Sequence, residues 1–100
     1  MKVLVTGSAG FIGFHISRQL LGDGFDVVGI DNLSPYYDKN LKYARLAETG
    51  ISKNSISGKQ PVKSEKWPAY RFCEIDIEDQ DKLDRLLERE KFDRLVQFRS

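Results

Sequence analysis

The chain has 100 residues, enough for one small domain. It is 40% hydrophobic and 31% charged, and 16 basic residues against 15 acidic ones leave a net charge of +1. That balance predicts neither a nucleic-acid surface nor a membrane surface, and no apolar run approaches bilayer-spanning length. Met1 and Lys2 lead straight into Val3-Leu4-Val5, too short for a secretory leader, so the cytoplasm is the expected compartment. One cysteine, Cys73, excludes an internal disulfide, and with a single histidine no metal cluster is expected.

In chain order, Lys2 to Thr6 is a nearly continuous apolar run, as suits a strand buried on both faces. A helix is predicted from Phe11 to about Gly22, with Ile12, Ile16 and Leu20 on one face and Leu21 beside it. Gly24 stands where a helix-ending glycine belongs. Asp26 to Asp31 reads as a second strand and Asn32-Leu33-Ser34-Pro35 as a loop. A second helix is predicted from about Asp38 to Glu48, with Leu41, Ala44 and Leu46 partly inward and Gly50 closing it. Residues 51–68 lack periodicity and read as a long, partly mobile surface excursion. Tyr70 to Ile75 is a third strand. A third helix runs from about Glu78 to Glu90, its first turn acidic and Leu83, Leu86 and Leu87 apolar. Phe92 to Phe98 is a fourth strand, expected to be an unprotected sheet edge.

Strands alternating with helices imply an α/β fold: the first half of a Rossmann doubly wound parallel sheet, strand order 3-2-1-4. The whole chain is then one partial nucleotide-binding domain.

The turn after the first strand reads Gly7-Ser8-Ala9-Gly10-Phe11-Ile12-Gly13, a G-x-x-G-x-x-G spacing between strand and helix. Gly7 permits the tight turn, Gly10 lets backbone approach a pyrophosphate, and Gly13 lets the helix pack closely on the sheet. The free amides of the helix start favour phosphate charge. Such glycines also serve a tight connection alone, but Asp31 ends the second strand eighteen positions past Gly13, where an acid accepts from adenosine ribose hydroxyls. Its charge would repel a 2′-phosphate, and no arginine follows at 32 or 33, so NAD is expected over NADP. No G-x-x-x-x-G-K-[ST] is present, which disfavours a P-loop triphosphatase.

The Gly7-to-Gly13 spacing resembles the extended short-chain dehydrogenase/reductases, the NAD-dependent epimerase/dehydratase group. The segment Gly29-Ile30-Asp31-Asn32-Leu33-Ser34-Pro35-Tyr36-Tyr37-Asp38, then Leu41-Lys42 and Ala44-Arg45-Leu46, is similar to the UDP-glucuronate 4-epimerases. The likeness runs from Lys2 to about Val96, loosest over 51–68. It implies that Phe11 and Ile12 lie along the cofactor pyrophosphate. It implies that Asn32 and Leu33 join Asp31 around the adenosine ribose, and that Asp76 and Ile77 flank the adenine. For Asp76 the cap of the third helix is an equal alternative. His15 reads as a packing residue, Cys73 as core, and Lys53, Lys59, Lys63 and Lys66 as a solvated loop; Tyr36 and Tyr37 suit loop packing as well as a site.

In that family a sugar C4 hydride passes to NAD and returns to the other face, with a Tyr-x-x-x-Lys pair moving the proton. Four residues after Tyr36, Tyr37, Tyr43 and Tyr70 stand Asn40, Leu41, Ala47 and Glu74, so this chain holds no catalytic residue of that kind. The resemblance implies a UDP-sugar substrate and a homodimer for full-length relatives, with the sugar-binding domain outside this chain. The family continues its fourth strand with His and small residues, whereas Gln97-Phe98-Arg99-Ser100 stand here. Codons CAA TTT CGC AGC less one A read His-Phe-Ala, so a one-nucleotide frameshift is expected, to be checked by resequencing; a deliberately cut domain is the plainer alternative. Three further readings stay open: a stand-alone dinucleotide-binding module, a non-functional product, and a nucleotide-sugar dehydratase or decarboxylase.

Overall fold

The computed structural model describes residues 1–33 and 39–97. Ser34, Pro35, Tyr36, Tyr37 and Asp38, and the ending Phe98, Arg99 and Ser100, lie outside the described residues, so the expectations placed on them are not addressed. The elements are β1 (Lys2–Thr6), α1 (Phe11–Gly22), β2 (Asp26–Asp31), α2 (Lys39–Glu48), a 3-10 turn (Lys53–Ser55), β3 (Val62–Lys63), β4 (Tyr70–Glu74), α3 (Gln80–Glu90) and β5 (Arg94–Gln97).

The sheet order is β3-β4-β2-β1-β5. The four predicted strands, now β1, β2, β4 and β5, are parallel and stand in the expected 3-2-1-4 order. The difference is β3, a two-residue strand antiparallel to β4 that the sequence reading placed in a loop. Among the described residues β5 pairs with β1 alone and lies at the edge of the sheet, as expected.

Alternate residues of each strand enter two cores. Val3, Val5, Val27, Tyr70 and Phe72 meet Leu21 of α1 and Leu46 of α2. Leu4, Val28, Ile30, Cys73 and Ile75 meet Leu86 of α3. Burial of both faces explains why these strands read as apolar runs rather than as alternations.

α1 spans the predicted residues, and of the expected face Leu21 is buried and Leu20 packs on the core, but the buried stripe is turned away from Ile12. Gly13, Phe14, Ser17 and Leu21 are buried, while Ile12 is 57% exposed. At Gly13 the helix comes too close to the strand–helix turn for a side chain. In α2, Leu46 is buried as expected, but Leu41 is 53% exposed and Ala44 is exposed, and Lys42 is buried in their place. Both helices end in the same device. Gly24 and Gly50 take positive φ, and the following amides of Phe25 and Ile51 donate back to Leu20 and Leu46 carbonyls at 3.0 and 2.8 Å.

Residues 51–68 are not the loose excursion expected. Ile51 is buried, and Ile56, Val62 and Trp67 pack on the core beside α1 and α2. Ser64 is buried: its hydroxyl donates to the Thr49 carbonyl and accepts from the Lys66 and Trp67 amides at 3.0 and 2.9 Å. The apolar anchors are single residues at irregular spacing, which no period reveals.

At the other end of the sheet Glu90 closes α3. Its carboxylate accepts from Lys2 Nζ at 3.0 Å and from both terminal nitrogens of Arg71, tying β1, β4 and α3 together. The Arg71 guanidinium, aided by Lys2, lowers its pKa from 4.5 to about 2. A folded-state pKa below the unfolded one contributes stability above pH 4.5 that is lost as pH falls toward 2. We expect acid titration of the wild type to lose on the order of 2 kcal/mol across that window through this group, allowing for solvent at the partly exposed cations. Glu90→Gln should flatten that part of a stability–pH curve measured by urea unfolding; an unchanged curve would remove this role. Among the described residues, no helix is long and apolar enough to cross a membrane.

Candidate cofactor site

The turn from β1 into α1 is held from three sides. Gly7 has φ 67°, a left-handed conformation that favours glycine. The Gly10 amide donates to the Gly7 carbonyl at 3.0 Å, and the Ser8 amide donates to the Ile30 carbonyl at 3.2 Å. The Ala9 amide donates to Asp31 Oδ2 at 3.1 Å, so the end of β2 fixes the middle of the turn. Gly13 sits against this turn rather than against the strands. A Cβ there would stand 2.8 Å from the Gly7 carbonyl carbon, closer still to its oxygen, and 3.0 Å from Ser8 Cα.

The start of α1 is an open cluster of donors. Gly10 is its N-cap, no side chain caps the first turn, and no acidic residue lies in it. Phe11 and Ile12 flank that turn, 65% and 57% exposed. Uncapped amides with the helix dipole behind them favour an anion.

Asp31 is 2% exposed. Its Oδ1 accepts from the Leu33 amide at 2.8 Å and from Lys42 Nζ at 3.0 Å, and both side chains of that ion pair are buried. Leu33 pays for this turn with φ 52° while its side chain enters the core. Arg45, one turn after Lys42 on α2, donates to the Ala9 carbonyl at 3.1 Å and lies 5.9 Å over the Phe11 ring. From below, the buried Tyr70 hydroxyl bonds Ser8 and Thr49, and burial pushes its pKa up to about 12. A Cβ on Gly29 would stand 2.7 Å from both the Ser8 Cβ and the Tyr70 hydroxyl, so glycine alone fits there.

Residues 3–100 match the NAD dependent epimerase/dehydratase family. The chain belongs to that family. Its cofactor is NAD. The chain is 53% identical over 47 residues to a probable UDP-glucuronate 4-epimerase of Rhizobium meliloti, covering 47% of this chain and 14% of that protein. It is 42% identical over 74 residues to a UDP-glucuronate 4-epimerase of Thermodesulfobacterium geofontis, covering 74% and 18%. Among solved structures, it matches a mutant UDP-glucuronic acid 4-epimerase from Bacillus cereus, in complex with UDP-4-deoxy-4-fluoro-glucuronic acid and NAD. The TM-score is 0.72 and the identity 30%, over 98% of this chain and 26% of that one. The chain thus spans about a quarter or less of the length of these relatives.

The epimerase-family residues present fit a dinucleotide where the donors are. The uncapped α1 start suits a pyrophosphate, and Asp31 stands beside it at the end of β2. Among the described contacts, the Ala9 and Leu33 amides and Lys42 Nζ donate to Asp31, whose carboxylate has about four acceptor sites. Asn32 next to it is exposed. The charge argument against a 2′-phosphate changes, since Lys42 balances the carboxylate. Asp76 does not cap α3: Asp79 does, its carboxylate accepting from the Lys82 amide at 3.3 Å. Asp76 is exposed and accepts from the Glu78 amide at 2.9 Å in a local turn, because α3 begins at Gln80 rather than Glu78. Ile77 is half-buried beside the α3 core and lines a cavity of about 260 Å³ between α3 and the β1–β5 pair, with Leu4, Thr6, Leu83 and Gln97. The site residues that sequence reasoning missed are Lys42, Arg45, Ser8 and Tyr70. The first two stand in the segment that carried the family resemblance, where neither was given a role.

Proposed function

We propose that this chain is the adenosine-side part of the NAD site of a nucleotide-sugar 4-epimerase, most like those interconverting UDP-glucuronate and UDP-galacturonate. The observation that supports it most is the uncapped α1 start clamped through Ala9 to Asp31. Gly7, Gly10 and Gly13 shape the turn that presents the α1 amides to the pyrophosphate, with Phe11 and Ile12 along it; Asp31, Asn32 and Leu33 take the adenosine ribose; Asp76 and Ile77 flank the adenine. NAD, when bound, supplies the hydride acceptor. This chain's residues bind and orient it, and the proton-moving Tyr–Lys pair and the sugar site belong to the longer relatives. The sugar follows from the UDP-glucuronate 4-epimerases that the chain is similar to, and a cytoplasmic homodimer with a UDP-sugar substrate is the reading for the whole protein.

Calorimetry with NAD tests this. We expect saturable binding, weakened at least about tenfold by Gly10→Val or Asp31→Ala, the loss of a good charge-assisted contact. No heat at millimolar NAD, or binding indifferent to both substitutions, would refute it. The chain by itself should not turn over UDP-glucuronate, because no tyrosine in it has a lysine four residues on.

A further inference from the structure

A second cavity, of about 460 Å³, lies between residues 58–59 and the flank of α3, on the β4 side of the sheet and away from β5. Its floor is apolar, Ile75 and Leu86. Its rim is Lys59, Lys82, Arg85 and Arg89, with no acidic residue in the lining. The last three recur on one stripe of the helix, at i, i+3 and i+7. Lys82 reaches across to the facing segment: a Cβ on Gly58 would be 3.7 Å from its Nζ. Among the described residues, Lys59, Lys82 and Arg85 make no ion pair. Arg89 has one, at 3.7 Å to Glu90, a carboxylate already held by Arg71 and Lys2. None of the candidate cofactor residues lines this cavity.

Four like charges around one hollow repel each other, and an otherwise balanced chain has no need to gather them there. A cavity of this size accommodates a small molecule. Guanidinium and ammonium groups suit phosphate oxygens, and the floor suits a carbon skeleton. We propose that this cavity binds a small multiply charged phosphate ester, its phosphates on Lys82, Arg85 and Arg89 and its organic part on Ile75 and Leu86. The proposal stands independently of the NAD reading.

The test is an amide NMR titration of the chain, run with and without NAD, using fructose 1,6-bisphosphate as probe and inorganic pyrophosphate beside it. We expect saturable shifts confined to residues 58–59 and 82–89, tighter binding of the sugar bisphosphate than of pyrophosphate, and affinity falling with salt. Arg85→Glu or Lys82→Gln should weaken binding at least about tenfold, while Lys53→Glu, outside the cavity, should not. Shifts confined to the α1 start, no saturation by millimolar probe, or equal weakening by Lys53→Glu would each overturn the site. Equal affinity for pyrophosphate would overturn the assignment to an ester.

Discussion

Gly13→Ala is expected to destabilise the chain by about 3 kcal/mol or more and to weaken NAD binding beyond that loss. The added methyl meets only backbone, the Gly7 carbonyl and Ser8 Cα, so no side chain can rotate away. Either α1 lifts from the turn or the turn unwinds, and both move the amides that face the pyrophosphate. A domain of this size holds roughly 5–15 kcal/mol of stability, so one methyl removes a large share. The same change at Gly22, in the last turn of the same helix, is the control. Nothing lies within 4 Å of a Cβ there, and we expect Gly22→Ala to stabilise by roughly 0.5–1 kcal/mol. Urea unfolding of both variants with NAD titrations reads the contrast. A Gly13→Ala protein as stable as the wild type would mean that the α1–turn contact is looser than described.

What the sequence showed of this fold follows from how its elements bury themselves. β1, β2 and β4 are covered on both faces, so Val3-Leu4-Val5 and Val27-Val28 announce strands without any partner in view. The glycine turn was legible because Gly7 needs its backbone conformation and Gly13 its empty space, constraints that leave a spacing behind. The face of α1 was legible only in part. Ile12, Ile16 and Leu20 have helical spacing, and Leu20 packs on the core, but the buried stripe is turned away from Ile12 and at Gly13 comes too close to the turn for a side chain. β3 rests on two residues paired to a strand about ten positions away, below any local signal. Asp76 and Asp79 both suit a helix start, and only the path of the chain decides that Asp79 caps it.

Lys42 was the least legible residue and carries the second large effect. Lysine is almost never fully buried without a partner, and here the partner is the acid that the sequence assigned to the ribose alone. Lys42→Met keeps the length of the side chain and removes its charge. It leaves Asp31 buried with two amide donors and no cation, a loss of about 3–5 kcal/mol. Because Ala9 of the glycine turn hangs on the same carboxylate, NAD affinity should fall at least about tenfold as well. Asp31→Ala cannot separate the two roles, since it deletes the ribose acceptor and the ion pair to Lys42 at once. The double variant Lys42→Met/Asp31→Asn separates them. It removes both charges, and asparagine's single carbonyl oxygen replaces only part of the acceptor set, so we expect stability to recover by at least 1–2 kcal/mol over Lys42→Met while NAD binding stays weak. Recovery of both would make Asp31 a scaffold for the turn rather than a ligand of the ribose. A Lys42→Met protein that unfolds like the wild type would show that the pair does not anchor the loop.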